Sequence, residues 1–394
     1  MTQRTAVGPG ADARRNLALA TWTFVINFWA WNLIAPLASR HAEQLSLSST
    51  QESLLVATPV LVGSLGRIPV GALTDRYGGR VMLALVSVAS IAPVLAVAFA
   101  GSVGSYPLLL VFGFFLGIAG TTFAVGIPFV NAWYEPGRRG FATGVFGAGM
   151  GGTALSAFFT PRLVTWFGYV VTYVIVAVAL AVTAVIVLAL ARDAPGWAPT
   201  LSPVIPKLAA AARLRETWEM SCLYAITFGG FVAFSTYLPT YLKVVYGFTL
   251  TEAGTRSAGF ALAAVIARPI GGILSDRLCP KPVVLASLAG AAVMAVVVAA
   301  QPAPEIPAGL TFLAMAFVLG IGTGGVFAWV AQRVPAERIG AVTGIVGAAG
   351  GLGGFFPQLV MGATYNQVGN NYTVGLALLC VTAAVAFVVT LVAQ

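Results

Sequence analysis

The sequence predicts an all-α membrane protein with twelve transmembrane helices in two pseudo-symmetric six-helix bundles, and three observations carry that prediction. The first is composition: 59% of the 394 residues are hydrophobic, only 8% are charged, and the mean hydropathy is +0.92. Ordinary globular chains carry roughly 25% charge, so a chain this apolar belongs in a bilayer. The second is length. Apolar stretches of about 20 residues, each enough to cross roughly 30 Å of hydrocarbon as a helix, follow one another from Leu17 onward. The third is repetition: Arg67-Ile-Pro-Val-Gly-Ala-Leu-Thr-Asp-Arg76 aligns without a gap on Arg268-Pro-Ile-Gly-Gly-Ile-Leu-Ser-Asp-Arg277. Arg67 falls on Arg268, Gly71 on Gly272, Leu73 on Leu274, Asp75 on Asp276 and Arg76 on Arg277, which implies two structural repeats.

The spans are predicted at 17–39, 51–73, 81–101, 105–132, 140–166, 168–191, 218–246, 251–273, 282–300, 307–332, 340–365 and 371–392. Their lengths require helices rather than strands. A proline-rich polar segment containing Pro195, Pro199, Pro203 and Pro206, then Lys207, Arg213 and Arg215, separates the sixth from the seventh. The expected domains are therefore an N-terminal bundle over 1–191, a linker over 192–217 and a C-terminal bundle over 218–394.

Orientation follows from the basic residues, because cytoplasmic loops retain Lys and Arg. With the N-terminus inside, 15 of the 21 basic residues fall on the inner side (Arg4, Arg14, Arg15, Arg76, Arg80, Arg138, Arg139, Arg192, Lys207, Arg213, Arg215, Arg277, Lys281, Arg333 and Arg338). Arg40, Arg162, Lys243 and Arg256 fall outside, while Arg67 and Arg268 lie within spans. Both termini are expected in the cytoplasm, and the loop bias accounts for the net charge of +9 without nucleic-acid binding. The run after Arg14-Arg15 is long for a signal peptide and lacks a small-residue cleavage site, so an uncleaved first helix is expected. Cys222, Cys279 and Cys380 are widely separated and form no metal or redox pattern.

Along the chain, span 1 places Asn27 and Asn32 at membrane depth, where an unsatisfied amide is costly; a watery cavity or interhelical bonding would explain them. Arg67 stands eight residues before Asp75, about 12 Å from the membrane surface and near the bilayer centre. Span 4 holds Phe123 among glycines. Span 5 reads Gly144-Val-Phe-Gly-Ala-Gly-Met-Gly-Gly152, and span 11 echoes it in Gly344-Ile-Val-Gly-Ala-Ala-Gly-Gly-Leu-Gly-Gly354. Glycine costs about 1 kcal/mol of helix propensity, so the run needs a reason, either close helix packing or a closely approached substrate path. In span 7, Tyr224 and Phe228 share a face.

A midplane arginine costs about 2.5–3.5 kcal/mol or more, and the chain has two. None of the twelve acidic residues lies at a predicted span centre, so no internal ion pair is expected. A bound anion is the natural counter-charge, since the guanidinium fork matches a planar oxyanion; solvated or carbonyl-paired arginines are the alternative.

The whole chain resembles the major facilitator superfamily through the loop Gly71-Ala-Leu-Thr-Asp-Arg-Tyr-Gly-Gly-Arg80. More narrowly, Ala35-Pro36, Gly66-Arg-Ile-Pro-Val-Gly71 and the glycine-rich spans 5 and 11 resemble the nitrate/nitrite porter family. The resemblance implies that Arg67 and Arg268 bind the anion, that Phe123 and Phe228 flank it, and that Tyr224 donates a hydrogen bond to it. It places Gly144, Gly147, Gly149, Gly151, Gly347, Gly350, Gly351, Gly353 and Gly354 near the path. It gives Gly71, Asp75, Arg76, Gly79, Arg80, Asp276 and Arg277 a part in gating. Met150 departs from the pattern, which commonly has asparagine after Gly-Ala-Gly, and so bears on the choice between nitrate and nitrite.

The expected function is secondary transport of nitrate and/or nitrite across the cytoplasmic membrane by alternating access, by a monomer without metal or cofactor. Carriage of formate or oxalate, and a membrane anion sensor that does not transport, are the alternatives. An enzyme is not expected, because His41 has no second imidazole or carboxylate pair near it and no phosphate-cradling loop occurs. The family includes exchangers and proton-coupled carriers, and the short loops here resemble the latter; two unpaired arginines should close poorly without an anion, which favours exchange, with a proton still able to travel with the anion or through water.

Overall fold

The computed structural model describes residues 10–135, 138–199, 204–334, 338–365, 369 and 371–392. Arg4 of the inner tally, Pro203 of the linker and Glu337 of the acidic set lie outside the described residues. Among the described residues, eleven helices are long and apolar enough to cross a membrane: Ala11–Leu45, Ser49–Tyr77, Gly79–Val103, Tyr106–Ala132, Tyr169–Leu190, Arg215–Tyr246, Leu250–Leu278, Pro280–Ala299, Ile306–Arg333, Ala341–Ala363 and Thr373–Val392. The predicted fifth span runs in three pieces, a helix Arg139–Gly147, a 3-10 turn Ala148–Gly151 and a helix Gly152–Phe167. Its five glycines between 144 and 152 dilute the hydropathy that marks the other eleven. With that segment as span 5, the helices are numbered spans 1 to 12 in chain order.

Spans 1, 2 and 4 are also interrupted. Span 1 is helical over Ala11–Trp31, leaves the helix at 32–34, and resumes through a 3-10 turn Ala35–Leu37, with Pro36 at its start, into Ala38–Leu45. Span 2 breaks at Gly66, immediately before Arg67, and span 4 tightens into a 3-10 turn at Gly117–Thr121 just before Phe123. Close approach explains the glycines there: a Cβ on Gly117 would meet the Pro59 carbonyl of span 2, and one on Gly120 would lie 3.1 Å from the Gly63 Cα. The counterparts of spans 1, 2, 4 and 5, namely Arg215–Tyr246, Leu250–Leu278, Ile306–Arg333 and Ile339–Ala363, are continuous.

The two halves meet along two seams that mirror one another, span 2 against span 11 and span 8 against Gly152–Phe167 of span 5. At the end carrying the loop between spans 1 and 2, side chains tie the halves together. Thr240 Oγ1 donates to Glu52 Oε1 (2.9 Å), Ser53 Oγ to the Tyr237 hydroxyl (3.1 Å) and Arg162 Nη2 to Thr255 Oγ1 (2.7 Å), while Lys243 Nζ pairs with Glu43 at 2.6 Å. At the opposite end, Gly144 and Gly344 face open space. Spans 6 and 12 present rows of exposed valines and leucines, the surface that lipid covers.

The loop between spans 2 and 3 turns on Gly78 at φ 84, whose neighbour is the Asp193 carboxylate; Asp193 Oδ1 accepts from the Arg80 amide at 3.1 Å. Arg80 also donates to the Leu188 carbonyl, and Gly79 is pressed against Phe129. The second repeat makes the same turn at Cys279, φ 76. Gly71 lies beside Ala124, whereas Asp75, Arg76, Asp276 and Arg277 are exposed at that end.

Candidate anion site

The helix break at Gly66 and the continuous span 8 bring Arg67 and Arg268 to one place in the middle of the molecule, 3% and 7% exposed. Each reaches across to the opposite half. Arg67 Nη1 donates to the Gly347 carbonyl of span 11 (2.7 Å), and Arg268 Nη1 meets Met150 Sδ of span 5 at 2.6 Å. Arg268 Nη2 also donates to the Tyr224 hydroxyl at 3.4 Å, leaving the phenol proton free to point elsewhere.

Rings enclose the pair. The Arg67 guanidinium carbon stands 4.9 Å from the Phe123 centroid and 5.5 Å from that of Phe228. For Arg268 the distances are 5.8 Å to Phe123 and 5.7 Å to Phe327. Phe123 is thus shared by both arginines. Phe123 and Phe228 face each other across 6.4 Å with planes 23° apart, slightly less than the roughly 7 Å that an intervening planar ion needs at contact distances near 3.5 Å. Tyr224 stacks on Phe228 at 4.9 Å and meets Phe327 edge-on at 4.7 Å.

Among the described residues neither arginine belongs to an ion pair, and Arg67 Nε is buried without a partner. One carbonyl satisfies one of five guanidinium donors and brings no formal negative charge. Two cations in low dielectric therefore face one ring without compensation, an arrangement that attracts an anion and is relieved by it. Glu52 is buried, but it lies 15 residues from Arg67, about 22 Å along the helix.

The glycine run divides. An added Cβ would lie 3.6 Å from Arg268 Nε at Gly147 and 3.6 Å from a Phe123 ring carbon at Gly347, so these two line the site. Gly350 gives way to the Tyr224 ring and Gly149 to Phe24, which itself packs 5.8 Å from Phe123. Gly351 lies on Ser64 across the seam, while Gly353 and Gly354 fit against Ala225 and Val232 of span 7, the packing role. A Cβ added to Gly144 or Gly151 would meet nothing within 4 Å.

Sequence reasoning passed over Phe327. The signal was present in Leu116-Gly-Ile…Phe123-Ala124 and Leu319-Gly-Ile…Phe327-Ala328, an echo between spans 4 and 10 that contains one inserted residue.

Twelve spans in two related halves about a charged, ring-lined centre define a membrane transport protein. The family model described as Major Facilitator Superfamily matches residues 20–357 and 221–393. The probable nitrate/nitrite transporter NarK2 of Mycobacterium tuberculosis is 66% identical over 371 residues, covering 94% of each chain. The nitrite extrusion protein of Bacillus subtilis is 35% identical, covering 95% of this chain and 93% of its own. Among solved structures, an inward-facing, unoccupied bacterial homologue of the human lysosomal transporter Spinster superposes with a TM-score of 0.72 at 20% identity, covering 97% of this chain and 96% of that one. The human organic anion transporter MFSD10 gives 0.72 at 14%, covering 97% and 100%. The chain belongs to the major facilitator superfamily and, within it, to the nitrate/nitrite porter family.

Proposed function

We propose that this protein is a secondary carrier, not an enzyme, that moves nitrate and/or nitrite across the cytoplasmic membrane by alternating access, with the anion held between Arg67 and Arg268. The observation that carries the reading is the convergence of two buried arginines, from equivalent places in two repeats, on the single ring of Phe123, with no ion-pairing carboxylate among the described residues. The names of the relatives support the substrate class.

In this reading, bundles over 1–191 and 218–394, joined by the linker 192–217, rock about the central site. The termini are cytoplasmic, so the tied end of the seams faces outward and the open space by Gly144 and Gly344 faces inward. Phe123 and Phe228 flank the ion, the Tyr224 hydroxyl donates to it, and the loop residues Gly71 to Arg80 with Asp276 and Arg277 serve gating. Exchange is favoured, because empty closure forces two cations together in low dielectric; one relative carries the name nitrate/nitrite antiporter.

The test is nitrate binding to purified protein, then uptake into proteoliposomes loaded with nitrite or left anion-free, with and without an inward pH gradient. Nitrate binding and nitrite-stimulated uptake are expected. Formate or oxalate displacing nitrate at equal concentration would reassign the substrate, and uptake that needs the pH gradient and ignores internal nitrite would reject exchange.

A further inference from the structure

The two asparagines of span 1 part company. Asn27 Nδ2 donates to the Thr23 carbonyl and to Ser87 Oγ of span 3, both at 2.9 Å, and so joins helices, with only its Oδ1 left over. Asn32, 2% exposed, has no partner for either Nδ2 or Oδ1. Leaving a whole carboxamide unpaired in the interior is costly, and a fold that keeps one invites the question of what satisfies it.

Its surroundings answer in part. Asn32 opens the non-helical stretch of span 1, and irregular backbone at membrane depth survives where it is buried in protein or lines a water-filled cavity; broken helices are where carriers hold substrates. The turn that follows, Ala35–Leu37, packs on spans 5, 7 and 8, so the break lies at the meeting of the two halves. Ser156 Oγ donates to the main-chain carbonyl of Asn32 (3.0 Å) and stands 3.3 Å from Thr160 Oγ1, which accepts from Trp29 Nε1 at 3.1 Å. Next to Ser156, the Ala157 carbonyl is the surface against which Gly254 of span 8 closes. Two residues beyond Thr160, Arg162 reaches Thr255 across the same seam. On the other side, Glu43 of span 1 is neutralised by Lys243 of span 7, and Glu52 of span 2 is held by Thr240 of span 7. Behind the seam there is thus a cluster of neutral hydrogen-bonding groups, and the guanidinium guarding it on the span 5 side suits an anion. Asn32 stands eight residues from Phe24, about 12 Å along the helix from the level of Phe123.

We propose that Asn32, its main chain held by Ser156, is a transit subsite for a small oxyanion, which its carboxamide receives when the seam opens and releases inward to the arginine pair. The inference rests on the reading that Arg67 and Arg268 hold nitrate or nitrite.

Asn32→Leu, close in size and unable to hydrogen-bond, separates this role from a structural one. Three results are expected together with nitrate as the probe. Equilibrium affinity in detergent stays within about twofold of the parent, because the arginine site is untouched. The KM for uptake from the tied side rises at least about fivefold. The melting temperature rises by about 2 °C or more, because an unsatisfied buried amide has gone. Parent-like uptake kinetics in Asn32→Leu would overturn the subsite, as would a lowered melting temperature accompanied by lost affinity. Asn32→Asp, which keeps the shape and adds a charge the anion must pass, is the second variant; a KM raised about tenfold is expected, and parent-like uptake would again overturn the proposal. Failure of the unmodified protein to bind nitrate would instead remove the arginine-site reading and the subsite with it, so the two failures are distinct.

Discussion

The first half of the molecule bends its helices to make the site, and the second half does not. Spans 2, 4 and 5 are interrupted at Gly66, Gly117–Thr121 and Ala148–Gly151, beside Arg67, Phe123 and Met150, while spans 8, 10 and 11 carry Arg268, Phe327 and Gly347 on unbroken helices. The two arginines are consequently inequivalent. Arg67 is anchored by a backbone carbonyl, a strong and fixed acceptor, whereas Arg268 meets the sulfur of Met150, a weak acceptor on a flexible side chain. Met150 occupies the position that Gly350 holds in the other repeat, where the missing side chain admits Tyr224. Sequence symmetry thus set the architecture, and departures from it differentiate the site.

The largest expected effect tests what the halves share. Arg67→Lys and Arg268→Lys should each weaken nitrate binding by about 30-fold or more, measured calorimetrically on purified protein, because a compact ammonium keeps the charge and loses the planar fork. Near-normal affinity in either variant would show that only one half binds the ion. Next comes the shared ring. Phe123→Ala should relax the exclusion of sulfate, which the parent should not transport because a strongly hydrated dianion gives up more solvation than two arginines return. Phe228→Ala should do so less, since Phe228 faces Arg67 alone among the two arginines. Competition of sulfate with nitrate uptake in the two variants reads the difference directly.

A pair of glycine substitutions sharpens the contrast between site and packing. Gly350→Ala should cost about tenfold in nitrate affinity by pushing the Tyr224 ring away from Arg268, whereas Gly344→Ala, which meets open space, should leave affinity unchanged. Equal losses would mean that both positions serve helix packing. The smallest effect concerns the repeated turn. Gly78 takes φ 84 without strain, but Cys279 takes φ 76 with a side chain. Cys279→Gly should raise stability by about 1 kcal/mol and the melting temperature by a few degrees, while Gly78→Cys should lower it, with the Asp193 carboxylate directly in the way.

Much of this was legible in the sequence for a physical reason: hydrocarbon tolerates only long apolar helices, and a buried charge stands out against them. The spans, the two arginines and their half-to-half correspondence follow from that alone. Met150 could be noticed as a departure, but its contact with Arg268 depends on the backbone path through Ala148–Gly151, which no periodicity encodes. Phe327 was hidden because one inserted residue breaks the echo between spans 4 and 10, and one phenylalanine among many apolar residues carries no signal by itself. The difference between Asn27 and Asn32 was equally invisible, since only the fold gives the Asn27 amide nitrogen Ser87 as a partner and leaves the Asn32 carboxamide without one.

The most direct measurement is a structure of the purified protein with nitrate bound, at a resolution that places the ion. Two-point binding by the arginine pair predicts nitrate oxygens about 2.7–2.9 Å from guanidinium nitrogens of both Arg67 and Arg268, with the ion plane between Phe123 and Phe228. Nitrate bound away from either arginine, or a carboxylate side chain swung in to take its place, would contradict it.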